Sequence, residues 1–178
     1  FRPDAYAFCT PYHLKIFKDM PSYREVLEFP IDDHTNQSGK WIGNKFNISE
    51  TNVINVGLWT PGKNQAEGIE IARKYPHIKF HFIGNQAGNF QDYWEPLMKD
   101  LPSNVVVWGE RDDISSFMML ADVFMFNSIV ECNPLVLREA IGYNLPIIAH
   151  NLPYYESMFD DYIQPIDTDL DSIKVNYK

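Results

Sequence analysis

One stretch restricts this chain more than any other: residues 122–150, DVFMFNSIVECNPLVLREAIGYNLPIIAH. Val123 to Phe126 is an unbroken apolar run of strand length, a polar loop follows, and Ile147 to Ala149 is apolar again. Between them Asn133 is placed to cap a helix and Pro134 to open it, because proline lacks only an N–H that a first helical position cannot use. Strand, loop, helix and strand in this order close as a right-handed crossover between parallel strands, so an α/β fold is expected.

The same unit implies a chemistry. The unpaired amides of the first helical turn, Asn133 to Val136, form an anion site with the positive end of the helix dipole. Glu131 stands before that site in the loop, and Glu139 lies about one and a half turns into the helix. Carboxylates are strong acceptors for the paired hydroxyls of a ribose or hexose, while backbone N–H groups can neutralise a diphosphate. A phosphate site with an acid on either side implies a nucleotide sugar.

Residues 131–149, ECNPLVLREAIGYNLPIIA, resemble E-G-F-G-L-V-x-x-E-A-M-A-x-G-x-P-V-I-A, the signature of retaining glycosyltransferases of the GT-B fold, family 4 type, also called glycosyl transferases group 1. Glu131, Leu135, Val136, Glu139, Ala140, Pro146 and Ala149 carry the match, while Cys132 and Pro134 replace glycines. The resemblance implies a Rossmann-like parallel sheet with helices on both faces, the C-terminal half of a GT-B fold. It also implies a carbohydrate-biosynthesis enzyme that transfers a sugar from a UDP or GDP sugar to an unknown acceptor. Glu139 would hold the ribose hydroxyls and Glu131 those of the sugar, with Glu131 and Lys63 as the catalytic pair.

A second match lies upstream. Asn52 to Trp59 reads as a strand, followed by Thr60 as cap, Pro61 as first helical residue and Lys63 in the first turn. In an open α/β sheet the ligand lies beyond the carboxyl ends of the strands, where Lys63 would reach a diphosphate. VGLWTPGKN resembles the family's V-G-R-L-x-x-x-K-G: Gly57 and Lys63 match, and Leu58 replaces a phosphate-binding arginine. The resemblance further implies Gly109, after the strand Val105 to Trp108, as a backbone contact to the nucleobase, with Trp108 and Arg111 nearby. Asn127 and Ser128 stand where the family has a P-S pair, beside a phosphate or a loop carbonyl. With Cys132, Asn133, Pro134, Leu135 and Val136 they complete the expected nucleotide-sugar site. No DxD motif flanks this site, and a helix dipole with a lysine can do a metal's work, so no metal or cofactor beyond the donor substrate is expected.

Charge narrows the partners. Fifteen basic against 24 acidic residues give a net charge of −9, which argues against nucleic acid or an anionic membrane as the main partner. No apolar run approaches the roughly twenty residues of a bilayer span, and no signal peptide is visible. Cys9 and Cys132 lack a metal-ligand spacing, and a reduced, cytoplasmic setting is the simple reading. The 178 residues can hold one ordinary α/β domain. Residues 52–178 are expected to form the nucleotide-sugar-binding domain, and the polar, Asn-rich residues 35–51 a linker or surface loop. Residues 1–34 are expected to be the tail of an N-terminal acceptor domain most of which is missing; an extra βαβ unit is the alternative.

Elsewhere strands are expected at 4–10, 26–31 and 78–84, a short helix or turn at 11–18, and helices at 90–101, kinked or in two pieces at Pro96, and after Asp112 or Asp113. A short strand, an acidic turn and a final helix follow Asp160. His81 is read as a packed sheet histidine, the stripe of Tyr93, Trp94 and Leu97 as core, His150 as a loop residue, and Glu156 as the counterpart of a further family glutamate. A dinucleotide-dependent dehydrogenase is disfavoured because G-x-G-x-x-G is missing after the first strand. Two other functions stay open: a non-catalytic GT-B-like nucleotide-binding or interaction module, and a sugar-nucleotide epimerase relative.

Overall fold

The computed structural model describes residues 5–8, 11–17, 23–26, 33, 46–131, 133–152, 159 and 161–173. Strand β1 (Ala5–Phe8), helix α1 (Pro11–Ile16) and strand β2 (Tyr23–Val26) come first, and the two strands pair in parallel as a sheet of their own. The strand expected at 26–31 therefore begins earlier, and residues 27–32 lie outside the described residues.

The larger sheet has six strands: β3 (Asn52–Val56), β4 (Lys79–Ile83), β5 (Val105–Gly109), β6 (Val123–Phe126), β7 (Ile147–Ala149) and β8 (Ile163–Pro165). Their order is β5-β4-β3-β6-β7-β8, and every neighbouring pair is parallel. The chain winds outward from β3 to β5, then returns to lay β6 on the other side of β3. That reversal opens a crevice at the carboxyl ends of β3 and β6, where ligands of open α/β sheets bind.

Alternation along the strands sorts the core into two layers. Ile54, Phe124, Phe126, Ile147 and Ala149 pack with Phe117 and Met118 of α4 (Ile114–Leu120) and with Leu137 and Ala140 of α5 (Leu135–Gly142). Val53, Phe80, Phe82, Val123, Met125 and Ile148 pack with Ile69 and Ala72 of α2 (Gln65–Lys74), and Trp94 and Leu97 of α3 (Gln91–Met98) lie against them. The fold is the expected parallel α/β sheet with helices on both faces. Phe46, within the segment read as a linker or surface loop, is fully buried and stacks on His81 with centroids 4.4 Å apart.

His81 is the packed histidine its strand pattern suggested. Trp108 Nε1 donates to His81 Nδ1 at 3.0 Å, which leaves Nε2 to donate to Asn52 Oδ1, also at 3.0 Å. Burial, with a smaller contribution from the Lys79 charge, lowers its pKa to about 4, so the ring is neutral near pH 7.

Several element ends differ from expectation. β3 stops at Val56, and the last rung of its pairing with β4 is the Gly57 N–H donating to the Ile83 carbonyl at 2.9 Å. Gly84 has φ +152, and a Cβ there would sit 1.9 Å from the Gly57 carbonyl oxygen, so this close crossing needs glycine. The interruption before α3 falls at a 3-10 turn, Gly88–Phe90, while Pro96 sits inside the helix. Asp113 does occupy the cap position of α4, but its carboxylate is taken by Arg111 at 2.8 and 2.7 Å instead of capping the helix. After β8 comes a short 3-10 turn, Leu170–Ser172, and residues 174–178 of the expected final helix lie outside the described residues.

Candidate functional site

The site is built from two loops that leave the sheet on either side of the crevice. The β3–α2 loop was expected to start its helix at Pro61, but residues 61–64 form a turn and α2 begins at Gln65. Thr60 anchors that turn: its carbonyl accepts the N–H of Lys63 at 3.1 Å and of Asn64 at 3.2 Å, and its hydroxyl accepts from Lys63 N–H at 3.2 Å. Asn64 then takes a left-handed conformation, φ 52, where the resembling family has glycine. Asparagine is among the few side chains that tolerate this region.

Lys63 therefore stands on a turn instead of a helix. Its stem lies beside Gly57, where an added Cβ would meet Lys63 Cδ at 3.6 Å, and its ammonium sits 5.5 Å from the centre of the Phe126 ring. Nζ pairs with Oε1 of Glu131, which arrives on the β6–α5 loop. That loop is tied to the turn by Ile129 N–H donating to the Gly62 carbonyl at 2.9 Å. The sequence placed both residues in one site, and the structure joins them directly.

Helix α5 begins one residue later than expected. Pro134 occupies the cap position with an extended backbone, and Leu137 N–H gives the first bond, 3.1 Å to the Pro134 carbonyl. The amides of Leu135 and Val136 thus precede the helical ladder and are free of it. Asn133 does not cap: its Oδ1 accepts from Arg138 Nε at 3.1 Å, and its buried Nδ2 has no partner among the described residues. Cys132 and Glu156 lie outside the described residues.

Glu139 is exposed on α5, and its charge contributes, after burial, to raising the pKa of Tyr143, which hydrogen-bonds Ser115 of α4. Glu131 thus lies against the Lys63 turn, and Glu139 lies on the exposed side of α5 within electrostatic reach of Tyr143. Leu58 is 39 % exposed at the end of β3, so an apolar side chain stands where the resemblance places an arginine. Gly109 takes a left-handed φ of +71 and its carbonyl accepts Gly84 N–H at 2.8 Å. Arg111 lies 5.9 Å from the Trp108 ring and 5.8 Å from that of Phe117.

Asn127 and Ser128 are buried rather than open to the crevice. Asn127 Nδ2 donates to Glu67 Oε2 at 2.9 Å, and its Oδ1 accepts from Asn55 at 3.3 Å. The same Glu67 oxygen lies 2.7 Å from His150 Nε2 and 3.1 Å from Asn64 Nδ2. Neither Glu67 nor its pairing with His150 was expected. An acid in the first turn of a helix reads as a solvated dipole partner, and only its place beside Gly68 hints otherwise.

The model of the family described as "Glycosyl transferases group 1" matches residues 43–166. The chain belongs to this family. A processive diacylglycerol alpha-glucosyltransferase of Acholeplasma laidlawii is 29% identical over 111 residues, 60% of this chain and 33% of that protein. The capsular polysaccharide biosynthesis glycosyltransferase CapH of Staphylococcus aureus is 28% identical over 134 residues, 70% of this chain and 38% of that protein. The chain thus spans about a third of the length of these curated relatives. Among solved structures, Anabaena HepE in complex with UDP and glucose superposes with a TM-score of 0.74 at 16% identity, over 91% of this chain and 49% of that one. WaaG, a glycosyltransferase involved in lipopolysaccharide biosynthesis, gives 0.65 at 21% identity, over 87% and 46%. These two likenesses show that the fold is that of GT-B glycosyltransferases. Among the described residues of this family member, no helix is long and apolar enough to cross a membrane.

Proposed function

We propose that this chain is the donor-binding part of a retaining glycosyltransferase that moves a hexose from a UDP sugar to an acceptor hydroxyl. The observation that carries the reading is the Lys63–Glu131 pair at the β3–β6 reversal, beside the unladdered amides of Leu135 and Val136. The diphosphate would lie on those amides and on Lys63, the transferred sugar against Glu131, and the ribose against Glu139. Gly57 and Gly109 would let backbone approach the ligand, and Asn127 would support the site from below. Residues 52–178 would form this donor domain, with residues 1–34 belonging to the acceptor side.

In the transfer, the bond from C1 to the β-phosphate oxygen breaks and its electron pair goes to the phosphate. The acceptor oxygen bonds to C1, and its proton leaves with the diphosphate. Lys63 and the two amides stabilise the charge that grows on that phosphate, which is where preorganised donors lower a barrier most. We assign this work to the lysine and the helix start, with no metal. Retention is supported by the name of the Acholeplasma relative, an alpha-glucosyltransferase, since the UDP-glucose proposed as donor is itself α-linked.

A non-catalytic module is the second reading, favoured by Leu58 in place of a cation. Titration of UDP, GDP and their hexose conjugates into the protein separates the two. The enzyme reading expects binding of a UDP sugar and slow release of the free hexose by hydrolysis; binding without any release favours a nucleotide-binding module, and no binding at millimolar concentration removes the enzyme reading and favours an inert interaction module.

A further inference from the structure

One acid outside the Lys63–Glu131 pair connects the elements that carry it. Glu67 Oε2 meets Asn64 Nδ2 at 3.1 Å, Asn127 Nδ2 at 2.9 Å and His150 Nε2 at 2.7 Å. These partners come from the turn that holds Lys63, from the end of β6 that leads to Glu131, and from the end of β7. Asn127 is in turn fixed by Asn55, whose Nδ2 also donates to the Met125 carbonyl at 3.0 Å.

The neighbouring Gly68 explains how a helix acid reaches so far into the sheet. A Cβ at Gly68 would lie 2.9 Å from Met125 Cε and 3.0 Å from both Asn127 Oδ1 and Phe82 Cε1, so α2 sits closer to β4 and β6 than a side chain would allow. An acid that only answered the helix dipole would not need partners from three separate elements.

We propose that Glu67 is a positioning residue: it sets the spacing between the Lys63 turn and the Glu131 loop across the strand-order reversal, and so fixes Lys63 against the diphosphate. The inference rests on the nucleotide-sugar reading above. All three donors meet one oxygen, so a glutamine at 67 can keep its carbonyl there but loses the negative charge that strengthens the three contacts, and it puts an NH2 where the other oxygen stood.

A double-mutant cycle tests this, because only a residue acting through Lys63 loses its effect when Lys63 is gone. UDP is titrated by calorimetry into the protein, Glu67→Gln, Lys63→Ala and the double variant. Glu67→Gln is expected to weaken UDP at least fivefold when Lys63 is present and less than twofold when it is absent. Equal losses in both backgrounds, or no loss in either, overturn the positioning role; Glu67→Asp, whose shorter arm cannot span all three partners, enters the same cycle if the glutamine variant does not fold. Failure is traceable: an unmodified protein that does not bind UDP at millimolar concentration sinks the nucleotide-sugar reading and the inference with it. Binding that responds to Lys63→Ala but not to Glu67→Gln sinks the inference alone.

Discussion

The ammonium of Lys63 is paired with the carboxylate of Glu131 across the point where the strand order reverses, although 68 residues separate them in the chain. The pair holds a cation at a site that would receive an anion, and it binds that cation to an acid. A diphosphate must draw Lys63 away from Glu131. The loss is offset only when another donor, such as a sugar hydroxyl, takes the place of the ammonium.

Glu131→Gln should therefore separate two ligands. A charged hydrogen bond contributes roughly 1.5–3 kcal/mol, about a tenfold change in affinity or more. UDP affinity is expected to stay level or rise up to about tenfold, and UDP-glucose affinity to fall about tenfold, both by calorimetry. A parallel fall for both ligands would mean that Glu131 does not discriminate through Lys63.

Glu139 is expected to act on the nucleotide rather than on the transferred sugar. Glu139→Ala should weaken UDP at least about tenfold by calorimetry, again the size of one charged hydrogen bond. The same factor is expected for UDP-glucose, because the ribose is common to both. Unchanged affinity would remove the ribose role.

Backbone crossing at the site has its own test. Gly84→Ala would drive a methyl to 1.9 Å from the Gly57 carbonyl oxygen at a φ of +152, and backbone cannot yield as a flexible side chain does. A loss of about 3 kcal/mol or more in unfolding free energy is expected from urea denaturation. A midpoint within error of the unmodified protein would contradict the crossing.

His81 makes stability depend on pH with a definite sign. Its folded pKa of about 4 lies below the ordinary 6.5, so between these values the unfolded chain binds the extra proton. The stability is fully present above pH 6.5 and is lost as pH falls towards 4, by up to about 3 kcal/mol. Thermal unfolding across this range should show the decline, and His81→Gln should flatten it. An equally steep slope in the glutamine variant would place the proton elsewhere.

Strands β6 and β7 were legible because they are short apolar runs, and both have the limits read from residues 122–150. Helix starts were less legible. Pro61 and Pro134 both suggest first helical positions, yet one lies in a turn and the other at a cap, because proline is equally at home before a helix. Left-handed positions were concealed by asparagine. Asn64 and Asn144 have φ of 52 and 55 where the resembling family writes glycine, so a search for glycine alone passes over both turns. The Glu67 cluster was hidden for another reason: its partners lie 60 and 83 residues away, and no local spacing brings them together.

The most direct test of the central claim is a crystal of this chain soaked with UDP-glucose. The diphosphate is expected within hydrogen-bond distance of the Leu135 and Val136 amides and of Lys63 Nζ, with glucose hydroxyls on Glu131 and the ribose on Glu139. A diphosphate bound away from the start of α5, or a Lys63–Glu131 pair left intact beneath a bound donor, would contradict it.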